Sequence, residues 1–301
     1  MIKTKNHKDQ LPLLGLMHLG IVYLVWSSTY LAMRILVAEG SGFTPFTAGA
    51  ARMLAASLII LVIAYFRNSN IWPKRGDLPI IIVSGILFWV TGNGMIMWAE
   101  QHAHSGLAAL MASTTPLWAA FLELILSKRR PSWQLIASLL LGLAGIVVLM
   151  GPSLANFARA DILSGLALVC ASMSIAAASV IQSRKTIQIS VLAMSGWQHL
   201  FAFFGFLIIA LVIGDPFPHP TPSAWLSWSY LVIFGSVFAF TAYITAIKLL
   251  PINIVMTYAY VNPVLALFLG WWLLNEPITA STIGGAAMVL IAVFGIFWHY
   301  K

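Results

Sequence analysis

The chain is expected to be an all-α membrane protein of ten transmembrane helices arranged as two inverted five-helix repeats. Three observations predict this. Of its 301 residues, 60% are hydrophobic and only 8% charged, against about 25% charged in soluble domains. Apolar runs near the roughly 20 residues that cross a bilayer recur ten times. Two prolines, Pro116 in the fourth run and Pro263 in the ninth, stand 147 residues apart. A proline within an apolar helix removes a backbone hydrogen bond, which a bilayer tolerates only where neighbours or water satisfy the freed carbonyl. Matched broken helices in two halves of one chain point to a transporter's substrate site.

In order, the expected spans are Leu13–Val37, Pro45–Phe66, Leu78–Trp98, Ser105–Leu126, Trp133–Met150, Ile162–Gln182, Val191–Ile213, Trp225–Leu250, Ile252–Leu274 and Ala280–Trp298. Turn-forming stretches such as Gly214–Ala224 separate them. This divides the chain into a cytoplasmic tail (1–12), a first repeat (13–150), a periplasmic linker (151–161), an inverted second repeat (162–298) and a cytoplasmic end (299–301). No small-residue cleavage site follows the first run, so it is expected to stay as a helix and not to act as a signal peptide. Thirteen of the sixteen Lys and Arg fall on one side of such a topology. The positive-inside rule then puts both termini in the cytoplasm. Five spans per half, an odd number, require homologous halves to run in opposite senses. By helical rise, Pro116 and Pro263 each lie about 16 Å into their spans, near the bilayer midplane.

One cysteine, Cys170, excludes an internal disulfide and makes a redox pair or metal cluster implausible. The net charge of +8 comes from short basic clusters between apolar runs, which argues against a nucleic-acid partner. The expected partners are a small-molecule solute and the lipid bilayer, with no cofactor and no metal, in a monomer or homodimer.

Trp26-Ser27-Ser28-Thr29-Tyr30 in the first span, Pro45 with Arg52 in the second, and the proline followed by Glu276 in the ninth resemble the EamA family of the drug/metabolite transporter superfamily. Gly92-Asn93-Gly94-Met95 before Ala99-Glu100, and Tyr258-Ala259-Tyr260-Val261-Asn262-Pro263, resemble its YedA-type exporters. The resemblance implies ten helices in two inverted repeats, a cavity lined by the first four helices of each half, export from the cell, and residence in a bacterial inner membrane. Where such repeats often carry a glutamate after the fourth span, this chain has Lys128-Arg129-Arg130.

Several side chains are candidates for the site. Asn262 and Tyr258, four residues apart, share a helix face; by the 147 offset their counterparts are Thr115 and Met111. An amide at membrane depth must find a partner. For Asn262 that is either an adjacent helix or carbonyl, or the solute. Asn93, between two glycines with Trp89 one turn away, either packs helices or lines the cavity. Trp26 and Tyr30 form a stripe on the first span, with Arg34 beyond them snorkelling to water. Arg52, about 9 Å inside the outer end of its span, is either rescued by snorkelling or a gating residue. Its counterpart is Trp197. His199 lies deep in the seventh span, as a core histidine or as a titratable group. Tyr243 in the eighth span completes the set.

Glu123 is expected to pair with Lys128 or Arg129, and Glu100 to sit in a solvated loop beside His102 and His104. Trp271 and Trp272 read as an interfacial belt. Ser138 with Gly142, and Ala280 with Gly284, read as small-residue helix contacts. The function expected is a secondary transporter exporting small amphipathic solutes, such as amino acids, metabolites or drugs, by alternating access. An integral membrane enzyme acting on a lipid-linked substrate is the alternative; the sequence lacks the paired carboxylates or metal motif such chemistry needs.

Overall fold

Capping chemistry sets several helix starts. Thr44 accepts from the Thr47 amide at 3.2 Å while its own amide donates to Thr47 Oγ1 at 3.1 Å, and Pro45 takes the first helical position. Ser190 accepts from the Ala193 amide at 3.0 Å, and Thr221 from the Ala224 amide at 3.3 Å. The helices they open belong to a computed structural model describing residues 11–67, 70–101, 111–127, 130–149, 162–185, 187–274 and 279–299.

The helices are α1 (Leu13–Leu36), α2 (Pro45–Phe66), α3 (Leu78–Ala99), α4 (Thr115–Ser127), α5 (Trp133–Leu149), α6 (Ile162–Ser183), α7 (Val191–Ile213), α8 (Pro222–Leu249), α9 (Tyr258–Leu274) and α10 (Ala280–His299). One further turn of helix, Ile252–Val255, precedes α9. No strand occurs among the described residues. Seven helices (α1, α2, α3, α6, α7, α8 and α10) are long and apolar enough to cross a membrane. Residues 1–10 of the expected tail, the expected linker 151–161, and Lys128, Arg129, His102 and His104 lie outside the described residues.

Three expectations need correction. The eighth helix begins at Pro222 and not Trp225, because the Thr221-Pro222 cap outweighs the polarity of Ser223. The fourth span is interrupted at Ser113–Thr114, so Pro116 is the second residue of α4 and not well inside a helix. There its missing N–H leaves nothing unsatisfied. The ninth span is broken at Met256–Thr257, with Pro263 inside α9 further on.

Packing repeats itself between the halves. Along its length α1 lies on α8, as α6 lies on α3; α1 also meets α9, as α6 meets α4. The pairs α2–α7 and α5–α10 make the most extensive contacts. Loops follow the same exchange. The α1–α2 loop pairs with the α7–α8 loop (His219 N to Gly42 O and Thr221 N to Ser41 O, both 3.0 Å). The α2–α3 loop pairs with the α6–α7 loop (Ser190 N to Asn70 O, 3.2 Å; Lys185 Nζ to Gly76 O, 2.8 Å). Gly42 is required in the first pairing: its φ is +83° and an added Cβ would overlap the His219 carbonyl.

Two further features were not foreseen. The middle of α3 (Ile86–Asn93) and the middle of α8 (Leu231–Phe240) are π-helical. Small residues join α5 to α10 within the chain: a Cβ on Gly145 would lie 2.9 Å from the Gly285 carbonyl oxygen, and one on Gly295 would strike Ser138. Gly142 faces the Tyr260 ring, whereas Ala280 and Gly284 are exposed.

Candidate functional site: a central cavity

Between the helices lies a cavity of about 50 Å³, lined by residues of α1, α2, α3, α6 and α9. That is room for a few water molecules, well below the ~300 Å³ of ordinary small-molecule pockets.

From α1 come Trp26, Thr29, Tyr30 and Met33, at the i, i+3, i+4, i+7 spacing of one helix face. From the π-helical stretch and the turn after it come Phe88, Trp89, Asn93 and Ile96. The widened turn shifts side chains around the axis, and Asn93 Nδ2 donates to the Phe88 carbonyl five residues back, at 3.2 Å. Across the cavity, α9 supplies Tyr258 and Asn262, and α6 supplies Ile175. Trp26 closes one end, its ring 5.0 Å from those of both Tyr243 and Tyr258 and 5.9 Å from Phe88.

Arg52 enters from α2 and is 3% exposed. Its Nε donates to Ser236 Oγ at 2.9 Å, and its guanidinium carbon lies 4.9 Å from the Trp89 ring centroid. Gly235 permits this approach, since a Cβ there would lie 3.0 Å from Arg52 Nη2; its carbonyl also accepts from Trp26 Nε1 at 3.2 Å. No carboxylate pairs with Arg52 among the described residues, where the one ion pair is Arg184–Glu123 at 3.4 Å.

Asn262 is fully buried, and neither Oδ1 nor Nδ2 has a hydrogen-bond partner among the described residues. The Trp89 Nε1 is likewise unpartnered there. An amide with no protein partner depends on water or a solute in the cavity it borders, and left unpaired it costs about 1–3 kcal/mol.

Of the thirteen residues singled out from sequence, seven meet at this cavity: Trp26, Tyr30, Arg52, Trp89, Asn93, Tyr258 and Asn262. The others do not line it. His199 stands behind Trp89, with ring centroids 4.8 Å apart, and donates from Nδ1 to the Ser195 carbonyl at 2.8 Å. Tyr243 is core, its hydroxyl 2.5 Å from Ser179 Oγ. Thr115 Oγ1 donates to the Ala112 carbonyl at 2.7 Å, and the Met111 carbonyl accepts from Ser172 Oγ at 2.7 Å. Pro116 and Pro263 are both buried.

Thr29, Met33, Phe88, Ile96 and Ile175 were missed. The first two were accessible from the Trp26–Tyr30 stripe; Phe88 was not, because nothing in a continuous apolar run announces a π turn. Glu123 pairs with Arg184, far away in sequence, and its expected partners lie outside the described residues. Glu100 is half-buried at the end of α3, its Oε2 unpartnered among the described residues. Burial raises its carboxyl to about 8, opposed by the nearby Arg34. Trp272 is 65% exposed.

The profile of the EamA-like transporter family matches this chain twice, over residues 13–151 and again over 163–298. The uncharacterized inner membrane transporter YedA of Escherichia coli is 34% identical over 294 residues, 96% of this chain and 90% of that protein. The uncharacterized transporter YoaV of Bacillus subtilis is 22% identical over 280 residues, 92% of this chain and 94% of that one. A crystal structure 20% identical in sequence superposes with a TM-score of 0.78, over 95% of this chain and 96% of the other. It establishes likeness of fold.

Proposed function

The chain belongs to the EamA-like transporter family, and from that premise we propose that it is a secondary transporter of small amphipathic organic solutes. Amino acids, metabolites and drug-like compounds are the candidate cargo, and export is the candidate direction. On this reading ten spans form two inverted five-helix repeats that rock about the central cavity, opening it to each side in turn. The exchange symmetry of the packing, the paired loops and the matching π-helical stretches of α3 and α8 support it. The termini then lie in the cytoplasm of a cell with this protein in its inner membrane.

One observation carries the proposal: Asn262, buried and with its whole amide unpaired among the described residues, faces a cavity too small for an organic solute. A wall with unused donors around a collapsed space is what a carrier presents when closed. Trp26, Tyr30, Trp89, Asn93 and Tyr258 complete the binding wall. Met111, Thr115, His199 and Tyr243 then serve states in which the other half faces the space. Arg52 ties α2 to α8 through Ser236, while Pro116 at the start of α4 and Pro263 within α9 each lie within two turns of the break that precedes its helix; these three gate. Solute counterflow in liposomes tests the reading. Accelerated exchange of a labelled amphipathic solute over protein-free liposomes is expected, and no exchange across a broad solute panel would refute it.

A further inference from the structure

We propose that the cavity selects solutes carrying one carboxylate on an apolar body, held by Arg52, and rejects amphipathic cations. This rests on the transporter reading and names the solute chemistry of the same site.

A guanidinium taken out of water loses several kcal/mol of solvation, repaid when a counter-charge and good hydrogen bonds replace it. Arg52 has only part of that repayment. The face of Trp89 and the Ser236 hydroxyl contribute, yet four of its five N–H donors make no hydrogen bond to a described residue, and no described carboxylate pairs with it. An arginine kept only to brace helices would be expected to have an acid or backbone carbonyls on its donors, and the one hydrogen bond Arg52 makes among the described residues goes to the Ser236 hydroxyl. Here the unmatched charge borders the cavity.

The surroundings suit the rest of a carboxylate's lone pairs. The Asn262 amide is unpartnered among the described residues, and Tyr30 and Tyr258, each with a hydroxyl, line the same cavity. Arginine binds a carboxylate through two parallel N–H···O bonds, so the terminal nitrogens can take the solute while Nε keeps Ser236. Beyond these groups stand Trp26, Phe88, Ile96 and Met33, which offer apolar surface to the body. A cationic amphiphile would be buried against a fixed like charge.

Three probes with one body test this: 3-phenylpropionate, 3-phenylpropylamine and 3-phenylpropan-1-ol. Binding is read by thermal shift of purified protein, and transport by counterflow in liposomes at pH 7. The expected result is that the carboxylate binds at least tenfold more tightly than the amine. Arg52→Gln should abolish that preference, bringing the carboxylate's affinity to or below that of the alcohol measured on the same folded variant. Arg52→Lys, which keeps the charge but not the planar fork, should retain part of it. Equal or tighter binding of the amine by the unaltered protein overturns the inference without any variant. So does an intact carboxylate preference in folded Arg52→Gln. Transport of the alcohol without the carboxylate would leave the carrier reading standing and sink this one.

Discussion

From the first half of the chain, α1, α2 and α3 place nine side chains on the cavity wall; from the second, α6 and α9 place three. The counterparts of the wall residues are engaged elsewhere. Trp197, opposite number of Arg52, donates from Nε1 to the Ile71 carbonyl at 2.9 Å and packs on Trp72 with ring centroids 5.8 Å apart. Thr115, counterpart of Asn262, bonds its own helix. Phe240, counterpart of Asn93, packs on Phe88 and Trp89 with centroids 4.9 and 4.8 Å away. In two of these pairs the wall member keeps polar groups without partners among the described residues, Asn262 and the terminal nitrogens of Arg52, while its counterpart, Thr115 or Trp197, is bonded. That difference is what the proposed alternation requires of a single frozen state. Equivalent elements hold unequal conformations, and the unequal satisfaction is stored where the solute would bind.

The largest expected effect separates these two classes of residue. Asn262→Leu should reduce solute counterflow by at least tenfold while the protein stays as stable as before, or gains about 1 kcal/mol, because no partner is lost and an unpaired amide is removed. Counterflow and thermal unfolding measured on one preparation decide it. A loss of several kcal/mol would mean that Asn262 is structural.

The α5–α10 pair gives the opposite pattern. A Cβ on Gly145 would lie 2.9 Å from both the Gly285 carbonyl oxygen and the Val289 amide nitrogen. Gly145→Ala should destabilise by about 1–3 kcal/mol through overpacking, with counterflow per folded molecule unchanged. Reduced flux at full stability would bring α5 and α10 into the moving parts. Smaller still, Trp197→Phe removes one hydrogen bond from a satisfied counterpart. A stability loss of about 0.5–1.5 kcal/mol is expected, with the affinity of the carboxylate probe unchanged within twofold. A tenfold change would end the distinction between Arg52 and its counterpart.

How much of this was legible in the sequence follows from which interactions are local. The start of α2 was readable from Thr44-Pro45 and that of α7 from Ser190, because capping uses residues within a few positions of one another. Tyr258 and Asn262 were placed on one face by their spacing, and both reach the cavity. The break at Ser113–Thr114 was misplaced into Pro116, since a proline reports a helix start and a helix kink with the same letter. The π-helical stretches were not legible: Ile86–Val90 is a plain apolar run, the Thr91-Gly92-Asn93 after it does not specify a widened turn, and the altered register brings Phe88 to the wall. Arg184 was unreadable as the partner of Glu123, because that pairing exists only once α6 packs on α4.

The smallest expected effect concerns the end of α3, one turn beyond the wall residue Ile96. Glu100 has a carboxyl raised by burial from its ordinary 4.5 to about 8, with Arg34 on α1 acting in the opposite sense. Tyr30, also on α1, faces it. Between those two values the folded protein holds a proton that the unfolded chain has released. Stability therefore falls as pH rises through that window, since ∂ΔG/∂pH is negative wherever the native state binds more protons. Because the side chain is only half-buried, solvent screening shrinks the slope. Thermal unfolding from pH 5 to pH 9 should show a gentle decline that Glu100→Gln flattens. Arg34→Gln should steepen it, by removing the cation that favours the ionised form. A slope of the opposite sign would mean that Glu100 is already ionised near neutrality, held by Arg34, and that the end of α3 carries a negative charge the cavity wall itself lacks.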